Sequence, residues 1–220
     1  MTSEFKLSPS ILSADFSNLQ SALDQCAKAG APWIHVDVMD NQFVPNLTIG
    51  PPVVKSLRSK TNKFLDVHMM VIEPEKLVEP FAKAGADMIT FHIEATDNPQ
   101  SVIDLIRSTG KQVGISLKPS TSVAEIEPFF EHIDLILVMS VEPGFGGQGY
   151  LDGSTERIQE IKQKLVDQCL QDRVLIEVDC GIKLHNAKEV IDAGGDVLVA
   201  GSAIFGTEDP VQTMKEFYSL

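Results

Sequence analysis

This 220-residue chain is first bounded by what it lacks: paired cysteines, an apolar run of membrane length and an excess of positive charge. Its three cysteines, Cys26, Cys169 and Cys180, are odd in number and show no paired spacing. They give no sign of a disulfide framework and suit a reducing compartment. No apolar stretch approaches the roughly 18 residues that span a bilayer. Residues 1–10 lack a basic region followed by an apolar core, so no secretory leader is expected and a soluble, cytoplasmic protein is. The net charge of −13 argues against nucleic acid and anionic membranes as partners, because both select basic patches. A small anionic substrate stays open, since screening at physiological salt acts over about 8 Å and a local site escapes the global field. No linker, low-complexity tract or second-domain boundary interrupts the sequence.

What is present is a globular chain, 43% apolar, long enough for one sizeable core. Helix-like stretches end in Ala-Gly and apolar strands follow: A-K-A-G-A-P-W-I from Ala27, A-K-A-G-A-D-M-I from Ala82, D-A-G-G-D-V-L-V from Asp192. Gly30, Gly85 and Gly194 suit the left-handed position that stops a helix. Their separations, 55 and 109 residues, are two and four strand–helix units of roughly 27 residues each. Eight units fill the chain. Strands are expected at residues 5–12, 33–39, 64–69, 87–92, 112–117, 134–139, 174–179 and 197–200. Helices are expected at 17–29, 52–59, 74–84, 99–108, 123–130, 154–170, 183–193 and 210–218. The alternation predicts an α/β protein, a (β/α)8 TIM barrel formed by residues 1–220 as a single domain.

The chemistry centres on W-I-H-V-D-V-M-D-N-Q-F-V-P-N, residues 33–46. Strand alternation puts His35, Asp37 and Met39 on one face and Ile34, Val36 and Val38 on the other. A buried imidazole beside a carboxylate needs a partner. A hydrogen-bonded His–Asp pair in a polar core and a metal cation both satisfy that need. Barrel active sites lie at the C-terminal ends of strands. There the third strand carries His68 and Met70, and the seventh Glu177 and Asp179. With His35, Asp37, His68 and Asp179 converging, a divalent cation is the expected partner: zinc, or iron or manganese. Asp40, Asp66 and Glu177 are read as supporting groups. His92 and Glu94 repeat the His-x-Asp spacing, but the cation already has four ligands, so they are read as a hydrogen-bonded support network. His132 and His185 are expected to be exposed. Three glycine turns, Pro143 to Gln148, D-C-G-I after Asp179, and A-G-S-A-I-F at residues 200–205, can present backbone N–H groups to a phosphate. Met39, Met70 and Met139 each fall at a strand end; periodicity alone reads them as core filler or as a soft, water-poor wall.

The runs S-P-S-I-L-S-A-D-F, H-V-D-V-M-D-N-Q-F-V-P-N-L-T-I-G, D-V-H-M-M-V, M-S-V-E-P-G-F-G-G-Q and A-G-S-A-I-F, in that order over nearly the whole chain, resemble ribulose-phosphate 3-epimerase. The resemblance implies interconversion of D-ribulose 5-phosphate and D-xylulose 5-phosphate in the pentose phosphate pathway. It implies one divalent metal ion (zinc, with iron, manganese or cobalt as substitutes) on His35, Asp37, His68 and Asp179. Asp37 and Asp179 would be the acid/base pair and an enediolate the intermediate. Substrate contacts would fall on Ser10, His68, Gly144, Phe145, Gly146, Gly147, Asp179, Cys180, Gly181, Gly201 and Ser202, with Met39, Met70 and Met139 beside the enediolate. A homo-oligomer is implied as well. The alternative with the same motifs is 3-epimerisation of a hexulose 6-phosphate such as allulose 6-phosphate. Decarboxylase and aldolase barrels carry Asp-x-Lys on a strand, whereas this chain has Asp37-Val38-Met39. One departure is the seventh-strand turn, V-D-C-G here against the family's usual V-D-G-G, which puts Cys180 where a side chain is commonly absent.

Overall fold

A computed structural model describes residues 5–220. The eight strands, β1 (Lys6–Pro9), β2 (Trp33–Met39), β3 (Phe64–Met70), β4 (Met88–His92), β5 (Gln112–Leu117), β6 (Leu135–Met139), β7 (Leu175–Asp179) and β8 (Val197–Ala200), form one parallel sheet. The order is β1-β8-β7-β6-β5-β4-β3-β2, which brings β1 back beside β2. Those two strands share no ladder, only the parallel bridge between Ser10 and His35. The barrel is therefore nearly closed, as the repeat predicted.

Helices α1 (Leu19–Ala29), α2 (Pro51–Arg58), α3 (Glu75–Ala84), α4 (Pro99–Ser108), α5 (Ser154–Asp167), α6 (Leu184–Ala193), the short α7 (Ser202–Phe205) and α8 (Pro210–Phe217) alternate with the strands. The Asn18 side chain caps α1 by accepting from Ser21 N–H, and Asn98 caps α4 in the same way through Ser101 N–H. Gly30, Gly85 and Gly194 end α1, α3 and α6 in left-handed conformation. The main core lies between barrel and helices, where Ile34, Val36, Val38, Val67, Phe91 and Ile176 turn outward. No helix among the described residues is long and apolar enough to cross a membrane.

Two expected elements differ. The strand expected over residues 5–12 stops at Pro9, because the Ser10 hydroxyl accepts Leu12 N–H and turns Ile11–Ser13 into a 3-10 helix. The helix expected over 123–130 is two 3-10 segments, Val123–Glu125 and Glu127–His132. Pro128 has no N–H to donate four residues back, so an α ladder would lose a rung there, a loss that α3 carries at Pro80.

The strand N-termini are organised by a repeat. Trp33, Met88, Leu135 and Val197, the first residues of the four even-numbered strands, pack together inside the barrel. Immediately before three of these strands stands an aspartate. Asp87 N–H donates to Leu65 O (2.9 Å) while its carboxylate accepts Leu65 N–H (2.8 Å). Asp134 exchanges the same two bonds with Val113, both 2.8 Å, and Asp196 with Ile176, 2.8 and 2.9 Å. Arg58, Arg107 and Lys162, from the surrounding helices, approach these carboxylates at 2.8, 2.8 and 3.8 Å. The fourth position is Pro32, which keeps only its carbonyl bond to Phe64 N–H.

Candidate metal centre and substrate pocket

Inward parity on β2, β3 and β7 sends His35, Asp37, His68 and Asp179 into the barrel, all at most 5% exposed. Each offers one ligand atom, and the four atoms lie within 4.8 Å of one another. Asp37 is the hub. Its Oδ1 lies 3.3 Å from His35 Nε2 and 3.3 Å from His68 Nδ1, and its Oδ2 accepts the Ser10 hydroxyl at 2.6 Å. His68 Nδ1 is 3.9 Å from Asp179 Oδ2.

The imidazoles are held from behind. His35 Nδ1 pairs with Asp66 Oδ2 at 2.6 Å, which places an N–H on Nδ1 and turns Nε2 toward Asp37. His35 Nε2 has no hydrogen-bond partner. His68 Nε2 meets His92 Nε2 at 2.9 Å, and His92 Nδ1 meets Glu94 Oε2 at 3.2 Å. Glu94 Oε1 accepts Lys118 N–H (2.8 Å) and the Thr121 hydroxyl (2.5 Å). The expected supporting roles of Asp66, His92 and Glu94 thus correspond to direct contacts. Glu177 lies 3.6 Å from His35 Nδ1, with both carboxyl oxygens unpartnered. Asp40 differs from expectation: it sits on the opposite parity and touches no ligand. Its carboxylate accepts N–H groups of Gln42, Phe43 and Ile72, tying the loops after β2 and β3 together. His132 and His185 are exposed.

The electrostatics show a site short of positive charge. Burial opposes charging of His35, yet the carboxylates of Asp37 and Asp66 outweigh it and raise the imidazole well above its ordinary range. Burial would raise Asp37, but His35 and His68 hold it well below the usual carboxylate range. Asp179 is raised by burial and by Asp37, and Glu177 is raised strongly by burial and by Asp66. Burial pushes His92 down to about 4. Against burial, hydrogen bonds from His92, Thr121 and Lys118 bring Glu94 down to about 2. Two nitrogen and two oxygen donors, one nitrogen orphaned, in a pocket that draws protons onto imidazole: this donor set fits a divalent transition metal such as zinc.

Above the cluster opens a pocket. Asp37, Asp179, Met39, Met70 and Met139 form its inner wall; Ser10, Gly144, Phe145, Gly146, Gly147, Cys180, Gly181, Gly201 and Ser202 form the rest with Leu12, Ser13, Ile182, Val199 and Ala200. The three methionines are at most 3% exposed, whereas Phe145 is 55% exposed at the rim. His68, expected at the substrate, is fully buried behind Asp37 and does not line the pocket. No lysine or arginine lines it either, so an anion there would meet backbone N–H groups and the Ser202 hydroxyl. Cys180 and Gly181 follow one another at φ +75° and +66°. The second must be glycine: a Cβ there would lie 2.5 Å from Tyr150 N.

Three contacts went unforeseen. Ser140 donates to the carbonyls of Asp179 (2.9 Å) and Cys180 (2.5 Å) and so braces the β7 turn. The Asn46 amide donates to Gly144 O (3.2 Å), joining the β2 loop to the glycine turn. The Ser10 hydroxyl bonds Asp37 directly. All three residues lie inside the motif runs, so their place in the sequence pointed to the mouth but not to their partners.

Residues 6–205 match the model of the ribulose-phosphate 3 epimerase family. The Bacillus subtilis (strain 168) ribulose-phosphate 3-epimerase is 44% identical over 211 residues, covering 96% of this chain and 97% of that one. The Synechocystis ribulose-phosphate 3-epimerase is 47% identical over 207 residues, covering 93% and 89%. Among solved structures, KGPDC from Streptococcus mutans superposes with a TM-score of 0.71 over 97% of this chain and 95% of its own, at 15% identity, a likeness of fold alone.

Proposed function

The chain belongs to the ribulose-phosphate 3-epimerase family, and from that premise we propose that it interconverts D-ribulose 5-phosphate and D-xylulose 5-phosphate through an enediolate, with Asp37 and Asp179 as the proton-transfer pair. The observation that carries this reading is that two buried carboxylates from different strands share the inner wall of one pocket whose other wall is made of glycine turns. Inversion at C3 requires one group on each face of the reacting carbon. In one direction one carboxylate takes the C3 proton and the other, protonated, delivers one to the opposite face; the reverse direction exchanges the roles. The Ser10 hydroxyl holds Asp37 Oδ2, and Ser140 fixes the backbone that carries Asp179, so both groups are aimed before substrate arrives.

Acid–base transfer contributes about 10²–10⁴-fold, which is small for a carbon acid. A divalent cation held by His35, Asp37, His68 and Asp179 would supply Lewis-acid stabilisation of the developing charge on the C2 and C3 oxygens. Met39, Met70 and Met139 give that charge a soft, water-poor wall. The N–H groups of the turns at residues 144–147, 181 and 201–202 bind the phosphate end and set the register of C3 between the carboxylates. The enzyme works in the cytoplasm as a homo-oligomer in this reading; sedimentation of the purified chain tests the second point.

The deciding experiment follows C3 deuterium incorporation into D-ribulose 5-phosphate in D2O by NMR, before and after chelation. Exchange with appearance of xylulose 5-phosphate, lost on chelation and restored by zinc, is expected. Exchange that survives complete metal removal would overturn the metal requirement, and no exchange by the zinc-loaded chain would overturn the epimerase reading.

A further inference from the structure

The two imidazoles of the cluster present different nitrogens to it: His35 its Nε2 and His68 its Nδ1. For His35 the choice follows from a carboxylate, Asp66, on the far nitrogen. No carboxylate touches the far nitrogen of His68. There stands a second imidazole, His92, at 2.9 Å, both rings fully buried. At that separation one hydrogen lies between the two nitrogens, and its owner decides which nitrogen of His68 is left for a cation.

The chain of contacts decides it. Glu94 Oε1 already accepts two donors, the Lys118 N–H and the Thr121 hydroxyl. Its Oε2 faces His92 Nδ1, and a carboxylate oxygen only accepts, so Nδ1 carries the His92 hydrogen. His92 Nε2 is then the acceptor and His68 Nε2 the donor, so Nδ1 is the nitrogen of His68 left for a cation; without one it lies 3.3 Å from Asp37 Oδ1, a contact that by the same rule takes a hydrogen from His68. Phe43 packs against the His92 ring with centroids 4.8 Å apart, which keeps the ring from turning out of line.

We infer that Glu94 and His92 are positioning residues that keep a hydrogen on His68 Nε2, so that a cation meeting Asp37 and Asp179 finds Nδ1 as the His68 ligand atom. The inference rests on the metal reading above for its consequence, not for its geometry. It makes a pointed statement about Glu94→Gln. Lys118 N–H and the Thr121 hydroxyl need an acceptor, so the amide oxygen of the variant takes the Oε1 place and its NH2 faces His92 Nδ1. The relay reverses: His92 Nε2 becomes the donor, and His68 is driven to carry its hydrogen on Nδ1.

The test uses the full chain in two readouts. Nitrogen-15 NMR of the chelated protein reports the His68 tautomer, and competition with a chromophoric chelator gives the zinc dissociation constant. Wild type is expected to carry a hydrogen on His68 Nε2, and E94Q to have lost it, with zinc bound about 10- to 100-fold more weakly. His92→Leu, which removes the acceptor without supplying a donor, should also weaken zinc binding about 10- to 100-fold, so the test does not depend on one variant folding. A wild-type chain that binds zinc, with E94Q and H92L equal to it in affinity and E94Q unchanged in tautomer, overturns the role given to the pair. A wild-type chain that binds no zinc overturns the metal reading itself, and the pair's role with it.

Discussion

The two rims of this barrel carry similar residues and use them in opposite ways. At the N-terminal rim, Asp87, Asp134 and Asp196 each accept a backbone N–H from the neighbouring strand and face a cation from the helix layer. At the C-terminal mouth, Asp37, Asp66, Glu177 and Asp179 are crowded together, with unpartnered oxygens on Asp66 and Glu177 and an unpartnered nitrogen on His35. Among the described residues, non-glycine positive φ occurs at Asn41, Glu73 and Cys180 on the mouth side and at Cys169, before β7, on the other. A satisfied carboxylate lowers the energy of the fold. A crowded one raises it and persists because something else uses the charge. The same residue type is therefore a staple at one end and a reagent at the other.

Substitutions can break that contrast. The largest expected effect is at the mouth: Asp37→Asn or Asp179→Asn should lower turnover by 10³-fold or more, on the order of 4 kcal/mol in the barrier, with the far-ultraviolet circular dichroism unchanged. Near-wild-type turnover in either would remove that residue from the proton-transfer pair.

The next effect is a pH dependence behind the mouth. His92 is depressed from 6.5 to about 4 in the folded chain, so the unfolded chain binds the extra proton as pH falls through that window. Unfolding free energy should then fall on going from pH 6.5 to 4, by on the order of 3 kcal/mol from this residue. The slope should flatten in H92L, as read by urea unfolding at a series of pH values. An equal slope in both proteins would show that His92 does not titrate as its burial requires.

At the other rim, Asp134→Ala should leave kcat/KM within about twofold and cost roughly 1–3 kcal/mol of stability by stranding Val113 N–H. The Arg107 contact adds little to that figure, since its side chain is 41% exposed. A loss of activity without loss of stability would break the division between the rims. Smallest, Cys180→Gly should raise stability by about 1 kcal/mol by relieving the left-handed backbone, measured as a rise in Tm. A fall in Tm would mean that packing of the thiol outweighs the strain.

Much of this was legible in the sequence. Val and Ile alternating with His35, Asp37, His68 and Asp179 fixed both the strands and the face that carries the chemistry, because strand period and barrel topology leave a side chain only two directions. Glycine at 30, 85 and 194 marked the helix ends for an equally local reason. Residues 123–132 misled because Val123, Ile126 and Phe130 satisfy a 3-10 and an α spacing alike. Asp40 misled because the residue following a strand's last inward position looks like part of the site until its loop is known. The aspartate staples were invisible for a deeper reason: each partner is some 20 residues away and defined only once strands are paired. The identity of His68's far-side partner was of that kind as well.

The absence of a ladder between β1 and β2 has a mechanical consequence. A hoop of staves with one unglued joint opens at that joint, and here, among the described residues, the Ser10–His35 bridge and the Ser10–Asp37 hydrogen bond tie it. The four candidate ligands flank it, β2 and β3 on one side and β7 on the other, so a cation gripping all of them would act as a clasp across the opening. Deuterium uptake by the amides of β1 and β2 should accordingly be the fastest of the eight strands in the chelated protein, and should slow there first when zinc is restored.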